Sequence, residues 1–351
     1  MVTDFKIKRN SVFDKVGIPF NPTLSIEDYL KEAKLDFTVL KAPLYAKVYN
    51  AEGGLLRNDP DARWKNMPLS YALLRDDNGL MFTSNGRAVT DMYSVFQNIE
   101  MFQFLTDLCD MGRIDFDTAG SFNGGSRVFT TIDLKDNIEI FPNDTINRHL
   151  LITNKHDGKG CIDIRFVNTR VVCQNTLELA LRENTQHKWS LRHTINKDDR
   201  LDTIKHIIGD LKIQKREIEE KLMYYKQVEI NDKQRLALLA LSYFPASQYI
   251  QLKKHNFVLT EENLTVGAKT PVKTKKTLKE FNMLRETLET GVGQDLYKGT
   301  VLNVYNGITC YIQNVKEYKN NEEHFDNMFG NDILMNFENN MVENLVEIDT
   351  L

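Results

Sequence analysis

The alternation of apolar and polar positions places a set of β-strands in the middle of this 351-residue chain. Asn123-Gly124-Gly125 is a strong hairpin-turn signal with alternating residues on both sides, and Asp157-Gly158-Lys159-Gly160 separates a second pair of such runs. A short helix is expected next, from Leu177 to Arg182. Two hairpins followed by a helix indicate an α+β fold, with helices on one face of an antiparallel sheet. The strands are predicted at residues 119–122, 127–134, 149–153 and 161–167.

The segment before this sheet shows both helical and extended patterns. Ser25 is placed to cap a short helix, with Asp28 three residues further on. Residues 37–49 are expected to be extended, and Asn78-Gly79 suits the turn of another hairpin. Apolar residues at spacings of three and four then predict an amphipathic helix. The two helices are predicted at residues 26–33 and 92–111, and the hairpin strands at 71–75 and 80–83.

Downstream of residue 195 the pattern becomes helical. A stripe of apolar residues at three–four spacing predicts a helix of about seven turns from near Asp198 to Val228. This stripe is compatible with an oligomer contact, or with packing against the helix that follows. Later helices are predicted at residues 233–243, 277–288 and 296–315.

The net charge of −4 conceals an asymmetry along the chain. Residues 317–351 contain nine acidic side chains and one basic one, a charge of −8, whereas residues 1–316 contain 44 basic and 40 acidic side chains, a charge of +4. We therefore predict an α+β domain over residues 1–195, a helical region over 196–316 and a flexible acidic tail over 317–351.

Composition narrows the class of protein. No apolar run approaches the roughly 20 residues that span a bilayer, and the first residues lack the pattern of a signal peptide. Cys109, Cys161, Cys173 and Cys310 form no closely spaced pair, which predicts reduced thiols and no metal site. A cytoplasmic protein with no cofactor and no membrane contact is expected.

Several blocks of the sequence occur together in the order of a known family. They are residues 25–37, Gln97-Asn98, residues 119–129, 170–177, 192–194 and 299–306. On these blocks the chain resembles the phage/plasmid-like protein family, a domain of unknown function found in phages, prophages and conjugative plasmids. The resemblance implies a cytoplasmic role in the DNA metabolism of a mobile element and no established activity. The family commonly has an Asp-His pair where this chain has Gln313-Asn314.

The leading functional hypothesis is non-catalytic binding of single-stranded nucleic acid, with strand annealing as one form of it. Such sites combine a basic groove with aromatic rings on which bases stack. Alternation places Arg127 and Phe129 on the same face of one strand, and the adjacent glycines would let backbone amides approach phosphates. The candidate binding residues are Phe122, Arg127, Phe129, Lys155, Lys159, Arg165, Arg170, Arg192 and His193.

The acidic tail has a specific place in this hypothesis. Acidic residues with interspersed apolar ones can compete for a basic groove and can recruit replication or recombination proteins. Removal of residues 317–351 is therefore expected to tighten DNA binding. A homo-oligomer is compatible with the same hypothesis.

Two other classes of function are kept open. One is an interaction or regulatory protein of a mobile element, acting through the long helix and the acidic tail. The other is a hydrolase or metalloenzyme, although none of the common metal-ligand or nucleophile motifs occurs in the chain. The residues that would build such a site are His156, Asp157, Asp163, Cys173 and His193.

Overall fold

The structure is a computed structural model of the chain. It describes residues 13, 16–47, 64–83, 88–112, 114–142, 144–158, 162–170, 176–177, 188–191, 197–243, 249–250, 253, 271–330 and 333–348.

Among the described residues, eight strands form an antiparallel sheet at the centre of the molecule. They are β1 Ile18–Pro19, β4 Asp115–Phe122, β5 Arg127–Asp133, β6 Ile138–Phe141, β7 Asp144–Lys155, β8 Ile162–Arg170, β9 Thr176–Leu177 and β10 Lys188–Leu191. The main path of the sheet runs β1-β4-β5-β7-β8-β10, with β6 added to β7 and β9 added to β8. The two hairpins predicted within this sheet and the α+β class are confirmed.

One face of this sheet packs on two helices, α1 (Ile26–Glu32) and α2 (Asn98–Gly112). The Ser25 hydroxyl accepts a hydrogen bond of 3.1 Å from the Asp28 amide, so the predicted cap of α1 is confirmed. Helix α2 begins six residues later than the pattern predicted. Apolar side chains of α2 alternate with those of the sheet in one buried cluster, which fixes this face as core.

A second, two-stranded sheet lies beside the large one. Its strands are β2 (Val39–Lys47) and β3 (Trp64–Arg75), paired antiparallel. The hairpin predicted within residues 71–83 is confirmed in a short form, because Leu74 and Met81 form an antiparallel bridge and the Phe82 amide donates to the Leu73 carbonyl at 2.7 Å. The longer partner of β3, which the sequence did not predict, is β2. We call this two-stranded sheet the ribbon.

The helical part contains α3 (Lys197–Gln227), α4 (Asp232–Tyr243), α5 (Pro271–Thr290) and α6 (Val301–Cys310), the last continued by a π-helical turn to Val315. The predicted long helix is confirmed in α3. Its residues Ile204 and Ile207 pack in the core of the large sheet, and its later turns pack with α4, α5 and α6. Within the described residues, no helix has the length and apolar character needed to cross a membrane.

The acidic C-terminal segment is folded where the structure describes it, so the prediction of a flexible tail is corrected. It forms α7 (Asn321–Phe325), a π-helical turn to Gly330, and α8 (Ile333–Ile348). Apolar residues recur every three or four positions in these helices and are buried, which supplies the free energy that an acidic, asparagine-rich segment alone lacks. The carboxylate of Glu338 is buried with Lys221 and the Tyr225 hydroxyl as partners.

The prediction of a helix that begins at Leu177 is also wrong at its first residue, which lies in a strand. Thr176 and Leu177 pair with Thr169 and Asn168 as strand β9. The rest of that predicted helix lies outside the described residues.

Candidate nucleic-acid interface

The β4–β5 hairpin positions three of the predicted binding residues. Phe122 pairs with Arg127 across the hairpin, and Phe129 follows two residues later on the same strand. Both Arg127 and Phe129 contact the Phe325 ring, so the prediction that alternation puts them on one face is confirmed. This side of the sheet, opposite α2, is called the outer face.

Residues 325–329 cover the centre of the outer face. The Phe325 ring lies 4.9 Å from that of Phe122 and 5.8 Å from that of Phe129, measured between centroids. Phe13 and Phe329 join the same aromatic cluster, with their centroids 5.2 Å apart. Phe122 and Phe129 are therefore core residues and present no ring face to solvent.

The covering segment also supplies the polar partners of the hairpin. Arg127 forms an ion pair with Asp326, and the Asn123 amide donates to the Glu322 carboxylate at 2.6 Å. The side chain of Arg127 is 14% exposed and that of Asp326 is 34% exposed. A carboxylate thus occupies the position at Arg127 where the sequence predicted nucleic acid, and a second carboxylate binds the neighbouring Asn123.

The remaining predicted residues are dispersed. Lys155 pairs with Arg127 across β5 and β7 and is partly exposed, whereas Arg165 in β8 is buried. Arg170 ends β8, opposite Ile146. The structure thus brings Arg127 and Lys155 together at one end of the sheet. Lys159, Arg192 and His193 lie outside the described residues.

The glycines of the hairpin turn have a packing role. Gly125 has a φ of 104°, and a Cβ built on it would lie 2.5 Å from Cζ of Phe37. The carbonyl of Gly124 accepts a hydrogen bond of 2.6 Å from Arg75 at the base of the ribbon. These contacts explain the glycines without phosphate, and they join the ribbon to the hairpin.

Sequence reasoning missed the distal half of the ribbon. Tyr45 pairs with Asn66 and Lys47 pairs with Trp64, so these four side chains share one face of the ribbon. We call it the distal ribbon face. Tyr45 is 53% exposed and Trp64 is 56% exposed, and Lys47 Nζ lies 5.9 Å from the Trp64 ring centroid. A single exposed ring is ordinary on a protein surface, but two exposed rings together on one face form a patch of the kind that marks interaction sites.

The ribbon is also basic. Strands β2 and β3 contain Lys41, Lys47, Lys65 and Arg75 and no acidic residue. Lys41 and Arg75 anchor its base, because Lys41 donates to two backbone carbonyls at 2.7 and 2.9 Å. Arg75 stacks on the Phe37 ring at 3.9 Å. The absence of acids beside alternating Tyr and Lys was the signal in the sequence that could have identified this face.

The alternative catalytic site is only partly described. His156 is fully buried, stacked 5.9 Å from the Phe82 ring, and its Nε2 lies 2.9 Å from the Asn98 side-chain oxygen. Cys173 and His193 lie outside the described residues. Burial raises the pKa of Cys109 to about 12, which makes this thiol a poor nucleophile at neutral pH. Among the residues that the structure describes, no group of three His, Cys, Asp or Glu side chains is arranged to hold a metal ion.

Comparison with known proteins places the chain in a family without assigning a function. No curated protein and no solved structure matches it. One family model matches residues 87–329, which includes the large sheet from β4 onward, α3 to α6 and the segment that covers the outer face. The chain therefore belongs to the family described as a domain of unknown function, DUF932.

Proposed function

We propose that this protein binds single-stranded nucleic acid through the distal ribbon face, without catalysis, in the DNA metabolism of a phage or plasmid. The observation that carries the proposal is the shared face of Tyr45, Lys47, Trp64 and Asn66. Two exposed rings and a lysine stand together there, on strands that contain no acidic residue.

The chemistry of this face suits an unpaired strand. Base–aromatic stacking contributes about 1–3 kcal/mol per base, and it requires bases whose faces are free of their neighbours. Lys47 lies beside Trp64 on this face, so a phosphate can be neutralised next to a stacked base. The bases of a duplex are stacked on one another and offer only their edges, so we expect a duplex to bind by charge alone.

Anisotropy of labelled single- and double-stranded oligonucleotides tests the proposal on the full-length protein over a salt series. Tyr45→Ala should weaken single-strand binding about 5- to 150-fold, the equivalent of one stacked base. The matched control is Tyr224→Ala, because Tyr224 on α3 is also 53% exposed and lies on another element. Lys47→Gln should lower the slope of log affinity against log salt by about 0.7, and Lys205→Gln on α3 is its control.

A spectroscopic measurement adds direct contact evidence. Trp64 is exposed and Trp189 is buried, so soluble quenchers report mainly on Trp64. Binding of an oligonucleotide should shield Trp64 from the quencher. The proposal is wrong if the wild type fails to bind single strands at about 50 mM salt, where phosphate contacts are strong, or if Tyr45→Ala and Tyr224→Ala bind equally.

The interaction-protein alternative is favoured by one observation. Met67 and Leu69 are exposed on β3, and the edges of a two-stranded sheet offer backbone groups for pairing with another chain. A homo-oligomer through this edge predicts a mass in solution that falls on substitution of Leu69→Asp. Recruitment of replication or recombination proteins by the acidic segment would use the exposed side of α8, which includes Val342. Val342→Asp would then weaken capture of such a protein.

A further inference from the structure

We infer a second phosphate-binding site on the β4–β5 hairpin, formed by Asn123 and Arg127 and occupied in the free protein by the chain's own carboxylates. The inference rests on the proposed function, because it extends the path of the bound single-stranded nucleic acid beyond the ribbon. Glu322 and Asp326 are the internal competitors at this site.

The geometry of the two contacts supports a phosphate-like site. Arg127 donates to a carboxylate oxygen of Asp326, and Asn123 donates to a carboxylate oxygen of Glu322 at 2.6 Å. A carboxylate oxygen and a phosphate oxygen accept hydrogen bonds from arginine and amide groups in the same way. Lys155 pairs directly with Arg127 in the sheet and adds a further positive charge beside the site.

The site is continuous with the ribbon. Arg75, the last residue of β3, donates to the carbonyl of Gly124, which follows Asn123 in the hairpin turn. A single-stranded nucleic acid that leaves the distal ribbon face and follows β3 toward Arg75 therefore reaches the turn that contains Asn123. Arg127 lies beyond this turn, at the start of β5.

Exchange requires only side-chain movement. Phe325, Met328 and Phe329 are each no more than 2% exposed, so the segment itself stays docked on the outer face. The Asp326 side chain is 34% exposed and can turn toward solvent without uncovering these apolar residues. Arg127 can then donate its hydrogen bond to a phosphate oxygen. The Asp326 carboxylate and the nucleic acid thus compete for one guanidinium.

The test uses charge-neutral substitutions in the full-length protein. Asp326→Asn removes the competing charge and should raise single-strand affinity about fivefold at about 0.1 M salt, with the salt slope steeper by about 0.7, the values for one added phosphate contact. Glu322→Gln should act in the same direction. Glu343→Gln is the matched control, because it removes the same charge from an exposed position on α8. Arg127→Gln in the Asp326→Asn background should abolish the gain.

The outcomes separate the two proposals. The second site is wrong if the wild type binds single strands and both Asp326→Asn and Glu322→Gln bind them with the same affinity as Glu343→Gln. The proposal for the distal ribbon face would then still stand. If the wild type and both neutralised variants all fail to bind, both proposals are wrong. Thermal melts of each variant show whether the fold is kept, and Glu322→Gln, which leaves the Arg127 ion pair intact, decides the matter if Asp326→Asn is unstable.

Discussion

The outer face of the large sheet and the distal ribbon face have similar sequence patterns, but the first is buried and the second is exposed. Each has an aromatic and a basic residue two positions apart on one strand, Phe129 and Arg127 in β5 and Tyr45 and Lys47 in β2. The first set is buried under residues 325–329, and the second stands in solvent. The comparison teaches that alternation identifies a shared face, whereas a distant part of the chain decides whether that face is core or surface.

The largest effect that would test this contrast is removal of residues 317–351. Among the side chains whose burial the structure describes, six buried apolar ones are lost with them, at about 1.5–3 kcal/mol each, or about 9–18 kcal/mol together. That loss is comparable with the whole stability of a domain, about 5–15 kcal/mol. We expect the truncated chain to be unfolded by circular dichroism, and no tighter DNA binding from it. A truncated protein with an unchanged melting temperature would show that the outer face needs no cover. The six side chains are Phe325, Met328, Phe329, Phe337, Met341 and Leu345.

A single substitution in the covered face should have the next largest effect. Phe129 is fully buried against Phe13, Phe122 and Phe325. Phe129→Ala should lower the free energy of unfolding by about 3–5 kcal/mol, because it removes a ring and leaves a cavity. Chemical denaturation measures it, with Phe129→Leu as the milder control. A loss below about 0.5 kcal/mol, the range of exposed sites, would mean that Phe129 is not core.

The junction between the two regions gives an intermediate effect. Gly125→Ala places a Cβ 2.5 Å from the Phe37 ring in a left-handed conformation, and we expect a loss of about 2–4 kcal/mol. Gly79→Ala is the matched control, since Gly79 has a φ of 70° and nothing within 4 Å of its Cβ position. Its loss should be about 1–2 kcal/mol, from backbone strain alone. Equal losses at the two positions would mean that Gly125 has no packing role.

The smallest effect on stability belongs to the ribbon. Tyr45→Ala and Trp64→Ala remove exposed side chains and should change the free energy of unfolding by less than about 0.5 kcal/mol. The same denaturation series measures them beside Phe129→Ala. A loss of several kcal/mol at Tyr45 would show that its ring packs against another part of the chain, and the contrast between the two faces would fail.

Much of the fold was predictable because its signals are local. The hairpin at Asn123-Gly124-Gly125, the cap at Ser25 and the long apolar stripe of α3 each rest on residues close together in the sequence. The start of α2 was not predictable in this way. The side chain of Gln97 forms two hydrogen bonds of 2.9 Å with the backbone of Val39, 58 residues away, and the chain is not helical before Asn98.

In the candidate site too, the features that depend on neighbouring residues were predictable and those that depend on distant residues were not. Alternation correctly put Arg127 and Phe129 on one face, but nothing near them in the sequence indicates that Asp326 and Phe325 cover it. The apolar spacing of Phe325, Met328 and Phe329 was visible, yet the acids and asparagines around it favoured an unfolded segment. The ribbon was missed because the pairing of β2 with β3 spans the residues between Lys47 and Trp64.

During synthesis, the outer face is made long before the segment that covers it. Arg127 and its partner Asp326 are 199 residues apart, so the ribosome makes the hairpin long before it makes the segment that shields Phe122 and Phe129. At about 5–20 residues per second, that interval is roughly 10–40 s. During this time the apolar outer face of the nascent sheet is open to other chains in the cell. We therefore expect the nascent chain to be more prone to aggregation than the finished protein, because its outer face is covered last.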